Sequence, residues 1–177
     1  ANEAAWKEAY PAYDPEGAKA LLESKGWSLG SDGIYEKDGQ KLEFVLKTVN
    51  TDPNMKFGVI ISTELKKAGI NCIPQPTEYA TLTSDIKSSN VQAFVMGGGS
   101  TLDGLNMLFH SEKSKMTAHR TNFSNPELDA KLDEAFATLD EEARAKLLTE
   151  ASLMTIEDCV HMGGFFEYVQ LGMNTRV

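Results

Sequence analysis

The feature that most restricts the fold of this chain is a strand, a helix and a second strand in immediate succession. Leu42, Phe44 and Leu46 recur at the period of two that is typical of a β-strand with one buried face. Apolar residues then recur at the steps of a helix, at Phe57, Ile61, Leu65 and Ala68. Gly69 ends the helix, and residues 70–74 predict the second strand. Because the connections are short, the three elements form a βαβ unit, which implies a parallel strand pair and the α/β class.

The segments around this unit add further strands and helices. Residues 91–96 predict a third apolar strand, preceded by a short helix that Thr77 is placed to cap. Asp14 and Asn125 each precede a proline, the usual order of an N-cap residue and the first helical position. The apolar stripe after Asn125 comprises Leu128, Leu132, Ala135, Phe136 and Leu139. With a closing strand predicted at 160–169, we expect a mixed, mainly parallel sheet flanked by helices.

Composition limits the kinds of partner. The 177 residues, 41% apolar and 24% charged, fit one domain with a sizeable core. The formal charge is −9, from 26 acidic and 17 basic residues, and the basic residues are scattered. Nucleic acid and anionic membrane surfaces are therefore not expected partners. No apolar run approaches the roughly 20 residues that span a bilayer.

Sequence motifs for catalysis or cofactor binding fail at specific positions. Ser100 lacks the glycine two residues later that a nucleophile elbow requires, and Gly97-x-Gly99 is followed by Leu102, unlike a dinucleotide fingerprint. Cys72 and Cys159 form no C-x-x-C pair, so we predict two buried thiols. No metal-ligand cluster has a usable spacing. We therefore expect neither an enzyme nor a cofactor.

Three stretches carry a family pattern. They are YDPEGAKALL at residues 13–22, LKKAGI at 65–70 and NFSNPELD at 122–129. In order and spacing they resemble the C-terminal lobe of the family 5 extracellular solute-binding proteins, the dipeptide, oligopeptide and nickel-complex receptors of bacterial ABC importers. The resemblance implies one lobe of a type II periplasmic-binding-protein fold. It also implies a periplasmic or lipid-anchored cell-surface location, ABC permease subunits as partners, and capture of a peptide-like solute or a metal complex.

The resemblance further implies a receptor with two lobes. We expect residues 1–177 to be a single domain, the second lobe of a truncated receptor whose first lobe is missing. Such a lobe contributes half of an inter-lobe cleft. The alternative is a docking lobe that contacts a permease or another partner and has no small-molecule site of its own.

The predicted ligand site follows the third strand, since ligands of open α/β sheets bind beyond the carboxyl ends of the strands. The candidate residues are Gly97, Gly98, Gly99, Ser100, Thr101 and Asp103. By resemblance, peptide receptors of the family carry an aromatic residue at the position of Gly97 and an amine-binding aspartate at that of Ser100. Either Asp103 binds the amine instead, or the ligand is of another kind. The structural alternative is a flexible strand-to-helix loop that contacts no ligand.

A second candidate segment is the polar loop that contains His119 and Arg120. By resemblance to the nickel-complex receptors, a histidine could contact the ligand, and His119 is better placed than His110 or His161. Arg120 could pair with a ligand carboxylate through two parallel hydrogen bonds. For both residues the alternative is an ordinary surface side chain.

Overall fold

The structure, a computed structural model, describes residues 8–97, 102–117, 121–160 and 162. The helices are α1 (Pro15–Ser24), α2 (Asp52–Lys67), α3 (Tyr79–Lys87), α4 (Leu102–Phe109), α5 (Pro126–Ala137) and α6 (Glu141–Glu157), with a 3₁₀ turn at Ser114–Met116. The strands are β1 (Ser28–Leu29), β2 (Tyr35–Lys37), β3 (Gln40–Lys41), β4 (Glu43–Val49), β5 (Asn71–Thr77) and β6 (Ala93–Val95).

The main sheet has the strand order β5-β4-β6, and both strand pairs are parallel. The register is set by the partners Glu43 and Asn71, Val49 and Thr77, and Leu46 and Ala93. Helix α2 connects β4 with β5, so the predicted βαβ unit and the α/β class are confirmed. The carboxyl ends of all three strands therefore meet at one edge, called the carboxyl edge below.

Strand β5 extends three residues beyond its predicted end at Pro74. The Asn71 N–H donates to the Leu42 carbonyl over 3.0 Å, so the amides of odd-numbered residues in β5 face β4. Pro74 and Pro76 therefore occupy outward positions of an edge strand, where the ladder needs no N–H. Because of this extension, Thr77 is the last residue of β5 and not the predicted helix cap; Glu78 is the N-cap residue of α3.

A small antiparallel sheet, β1-β2-β3, closes the amino end of the β4–β5 pair. The buried Tyr35 donates its N–H to the Gly69 carbonyl over 2.8 Å, and its own carbonyl accepts from the Leu42 N–H over 2.7 Å. Gly69 has a φ of +78°, and a Cβ atom there would lie 2.6 Å from the Tyr35 ring. Both the backbone conformation and the close approach thus require glycine at this position.

Two clusters of buried side chains form the core. The first joins the sheet to α3 and contains Val49, Leu82 and Ile86. The second lies among α4, α5 and α6 and contains Phe109, Leu128, Leu132 and Ala151. On the other face of the sheet α2 approaches β4 closely, since a Cβ atom at Gly58 would lie 2.9 Å from Thr48 Cγ2.

Some predicted core residues lie at the surface. Phe136 is 62% exposed and Leu139 is 91% exposed, because α5 ends at Ala137 and its packed face is narrower than the apolar stripe. The prediction of two buried thiols holds for Cys72 and is wrong for Cys159, which is exposed after the end of α6.

Two further predictions concern a C-terminal strand and membrane-spanning helices. The closing strand predicted at 160–169 lies largely outside the described residues. In the parts of the chain that are described, no helix has both the length and the apolar character to cross a membrane.

Candidate ligand-binding site

The carboxyl edge of the main sheet aligns one residue from each strand end. The β4–β5 register places Asn50 opposite Glu78, each directly after its strand. On the other side of β4, the pairing with β6 ends at Thr48 and Val95, and Gly97 follows β6 by two residues. Neighbouring strands lie about 4.8 Å apart, so the ends of the three strands span about 10 Å. We call Asn50, Glu78 and Gly97 the edge row.

Asn50 and Glu78 are joined across the two strands. The Asn50 N–H donates to the Thr77 carbonyl over 3.1 Å, and the Asn50 Nδ2 donates to Glu78 Oε1. Both side chains are exposed, and the neighbouring Tyr79 is 55% exposed. The edge thus presents an oriented carboxylate, an amide and an aromatic ring to solvent.

Gly97 adds open space to the edge row. An added Cβ atom would meet no atom of the described residues within 4 Å, and Gly97 is exposed. The described residues therefore leave room for a ligand to approach the main chain closely here.

The other predicted site residues are only partly visible. Gly98, Gly99, Ser100 and Thr101 lie outside the described residues. The backbone of Asp103 lies in the first turn of α4, on the side that follows the glycine segment, and its side chain is not described.

The loop that contains His119 and Arg120 is anchored at the opposite end of α4. Residues 118–120 are not described, but the threonines on either side of them are. Thr117 Oγ1 donates to the Met107 carbonyl and Thr121 Oγ1 donates to the Leu108 carbonyl, each over 3.0 Å. An eight-residue helix is about 12 Å long, so the anchors of this loop are separated from the glycine segment by the length of α4.

The His110 side chain is buried and contacts other parts of the fold. Its side chain is 8% exposed, and its Nδ1 accepts from the Glu112 N–H over 3.2 Å. Its Nε2 lies 3.5 Å from Asp133 Oδ1. The hydrogen bond from Lys113 to Asp133, followed by the charge of Lys113, lowers the pKa of that carboxyl group. His110 therefore links α4 to α5 and is not part of the edge row.

Asn50, Glu78 and Tyr79 were not among the predicted site residues. A signal was available for Asn50, a polar residue close after the first predicted strand, whereas Glu78 follows β5 only because that strand extends beyond its predicted end at Pro74. Their alignment depends on the register, which became visible only with the full length of β5.

Two shallow cavities lie away from the described part of the carboxyl edge. One of about 200 Å³ lies between the 111–115 turn and residues 122–124. Another, of about 320 Å³ and widely open to solvent, lies at the start of α6 beside Asp140 and Lys146. Sites for drug-sized ligands usually enclose about 300–1,000 Å³. In the described parts of the chain, no group of three or more His, Cys, Asp or Glu side chains could hold a metal ion.

The fold defines the class as an α/β lobe of the type II periplasmic-binding-protein fold. The oligopeptide-binding protein AppA from Bacillus subtilis, solved in complex with a nonapeptide, superposes with a TM-score of 0.70 at 26% sequence identity, over 86% of this chain and 33% of that one. NikZ from Campylobacter jejuni, solved in complex with Ni(L-His), gives a TM-score of 0.68 at 26% identity, over 83% of this chain and 31% of that one. The predicted fold class is confirmed.

The chain belongs to the bacterial extracellular solute-binding proteins of family 5. The family's pattern, described as "Bacterial extracellular solute-binding proteins, family 5 Middle", matches residues 1–116. The sequence is 31% identical to AppA of Bacillus subtilis (strain 168) over 139 residues, 76% of this chain and 26% of the relative. It is 30% identical to heme-binding protein A of Haemophilus influenzae over 148 residues, 82% of this chain and 26% of the relative. The predicted family, a family of solute-binding proteins and not of enzymes, is confirmed.

The chain spans about a quarter of the length of these curated relatives, since it covers 26% of each. The activity of the whole receptor is therefore a separate question from the family of this chain.

Proposed function

We propose that this chain is a solute-binding lobe of an ABC importer receptor and that its carboxyl edge forms half of the ligand cleft. The observation that carries the proposal is the edge row, in which three strand ends present polar groups and open main chain to solvent. Parallel sheets commonly bind ligands at this edge. Membership of a solute-binding family supports the same conclusion.

The mechanism follows from the openness of this edge. A ligand on the edge row contacts protein on one side only, so most of its surface stays in water until a second lobe covers it. Closure of two lobes about a hinge would bury the ligand and strengthen each polar contact. The chain alone should therefore bind weakly, in the millimolar range, where the binding free energy is about −4 kcal/mol.

The proposed ligand is a peptide-like solute or a metal complex. Similar proteins were solved with a nonapeptide and with Ni(L-His), and a further relative is named for heme. The edge row favours the peptide-like class, because the Asn50 amide and the open main chain at Gly97 match the alternating donors and acceptors of a peptide backbone.

The proposal also covers the rest of the receptor. We propose that the complete protein acts outside the cytoplasmic membrane, periplasmic or held at the cell surface by a lipid anchor. In the same scheme, ABC permease subunits receive the solute from it. A first lobe of the same chain would supply the other half of the cleft.

A docking lobe without a small-molecule site is the second candidate. One observation favours it: the shallow cavities lie beside the 111–124 segment and the start of α6, away from the edge row. A docking surface can be flat, whereas a complete ligand site is usually concave.

Saturation-transfer difference NMR on the 177-residue chain separates the two candidates, because it detects millimolar binding. The probes are di-, tri- and tetra-alanine. The proposal predicts saturation transfer to at least one peptide, and competition among the peptides. Transfer to none of them at 5–10 mM peptide (roughly the expected Kd and above) would contradict the proposed peptide site and favour the docking lobe.

A further inference from the structure

We infer that Glu78 is the residue that selects ligands with a positively charged group. The ammonium end of such a ligand binds at the β5 end of the edge row, and the main chain of the ligand extends toward β6. The inference rests on the proposed function and names the ligand chemistry of the same site. In this arrangement the Glu78 carboxylate alone determines the direction in which the ligand lies across the strands.

The carboxylate of Glu78 is oriented but not neutralised. Asn50 Nδ2 donates to Oε1, which holds the side chain at the edge. Within the described ranges, no lysine, arginine or histidine forms an ion pair with Glu78, whereas the neighbouring Asp52 is paired with Lys56 and Asp85 with Lys47. Among the described residues, Oε2 is thus available to a ligand donor and the negative charge has no cationic partner.

The remainder of the edge row carries no competing charge. Asn50 and Gly97 are neutral, and the side chain of Asp103, which follows the row in the first turn of α4, is not described. The charge preference of the row is therefore set at its β5 end. A ligand ammonium placed there would gain a charge-assisted hydrogen bond that an uncharged end of the same shape would lack.

The length of the row fits a short peptide. The ends of β5 and β6, which Glu78 and Gly97 follow, are separated by two strand spacings, about 10 Å. An extended peptide advances about 3.3–3.6 Å per residue, so a tripeptide covers this distance. With its ammonium at Glu78, such a peptide would pass Asn50 and place its last residue over the open space at Gly97.

The chain contains a matched control for this carboxylate. At the amino end of the same strand pair, Asn71 Nδ2 donates to Glu43 Oε2 over 2.9 Å. Glu43 and Asn71 are direct partners in the β4–β5 ladder, and the same register, continued by one residue, pairs Asn50 with Glu78. Glu43→Gln removes one exposed charge and alters one cross-strand Asn–Glu hydrogen bond, as Glu78→Gln does, but at the opposite edge.

The experiment titrates ¹⁵N-labelled wild-type chain, Glu78→Gln and Glu43→Gln with tri-alanine and with N-acetyl-tri-alanine, which lacks the ammonium group. We expect the wild type and Glu43→Gln to bind tri-alanine about two- to five-fold more tightly than the acetylated peptide, the range of an exposed ion pair. Glu78→Gln should bind both peptides equally. The ¹H–¹⁵N spectrum of each variant verifies its fold in the same tube.

Three outcomes are distinguishable. Loss of the preference in Glu78→Gln alone supports the inference. Equal binding of the two peptides by the wild type, or a preference that survives in Glu78→Gln, overturns the role of Glu78 and leaves the peptide site standing. No shift at the carboxyl edge with either peptide overturns the proposed peptide site and this inference with it.

Discussion

The two ends of the β4–β5 strand pair carry the same cross-strand chemistry in opposite surroundings. At the amino end, Asn71 donates to Glu43, and the small sheet closes over the strands through the hydrogen bonds of Tyr35 with Gly69 and Leu42. At the carboxyl end, Asn50 donates to Glu78. There the next strand leads into open space at Gly97.

The comparison shows that an asparagine and a glutamate joined across two strands do not by themselves make a site. What differs is the neighbouring main chain. The glycine at the amino end, Gly69, is restricted by its positive φ and by the nearby buried ring of Tyr35, whereas an added Cβ atom at Gly97 would meet none of the described atoms within 4 Å. One end is built for packing, and the other is accessible to a ligand.

The largest expected effect is at the amino end. Gly69→Ala should lower the free energy of unfolding by about 2–4 kcal/mol, because it combines a strained positive φ with a Cβ atom 2.6 Å from the Tyr35 ring. Urea denaturation followed by circular dichroism measures the change. Gly33→Ala, at a φ of +79° with no atom within 4 Å, isolates the cost of strain and should lose less.

Gly97→Ala is the counterpart at the carboxyl end and should leave the unfolding free energy within about 0.5 kcal/mol of the wild type. A loss as large as that of Gly69→Ala would show that Gly97 is packed, and the contrast between the two ends would be wrong.

The second prediction concerns binding. Gly97→Leu places a branched side chain in the open space of the edge row, so tri-alanine should bind at least about ten-fold more weakly, which corresponds to about 1.4 kcal/mol. The stability should stay near that of the wild type, since an added Cβ atom meets none of the described atoms within 4 Å. NMR titration measures the affinity, and unchanged affinity would remove Gly97 from the site.

A smaller effect is expected from the asparagine that orients Glu78. Asn50→Ala removes the donor to Oε1 and should weaken tri-alanine binding by about two-fold, or roughly 0.4 kcal/mol, at the low end of a net hydrogen bond because both side chains are exposed. Asn71→Ala, its counterpart at the amino end, should leave the affinity unchanged. Equal losses in both variants would mean that the effect is transmitted through the sheet.

The smallest predicted effect is on the pH dependence of stability, at an ion pair that lies between the two ends of the strand pair. The hydrogen bond from Lys47 in β4 to Asp85 in α3, at 2.7 Å, lowers the pKa of that carboxyl group from its ordinary value of 3.8. A lowered pKa stabilises the fold above the ordinary value, and this stability is lost as the pH falls through the folded-state value. The urea midpoint of the wild type should therefore fall more between pH 6 and pH 3 than that of Asp85→Asn. Parallel curves would show that the pair contributes nothing.

The sequence was sufficient for features that depend on local chemistry. Asp14 and Asn125 each accept a hydrogen bond from an N–H in the first turn of the helix that follows, as predicted for N-cap residues. The βαβ unit and its parallel pairing followed from periodicity and connection length. A few neighbouring residues are enough to specify these features.

The edge row needed information that local pattern does not contain. The register pairs residues that are 28 positions apart in β4 and β5, and it is set by packing of whole faces. The two prolines in β5 left the end of that strand ambiguous, and Glu78 was therefore not recognised as a strand-end residue. The burial of α5 likewise depends on its neighbours, which cover Leu132 and leave Phe136 exposed.

The most direct test of the central claim is a chemical-shift map of the ¹⁵N-labelled wild-type chain titrated with tri-alanine. The account predicts shifts concentrated at Asn50, Glu78 and Gly97, with Glu43, Gly69 and Asn71 at the opposite end unmoved. Shifts concentrated at the amino end, or spread equally over both ends, would contradict the assignment of the carboxyl edge as the ligand site.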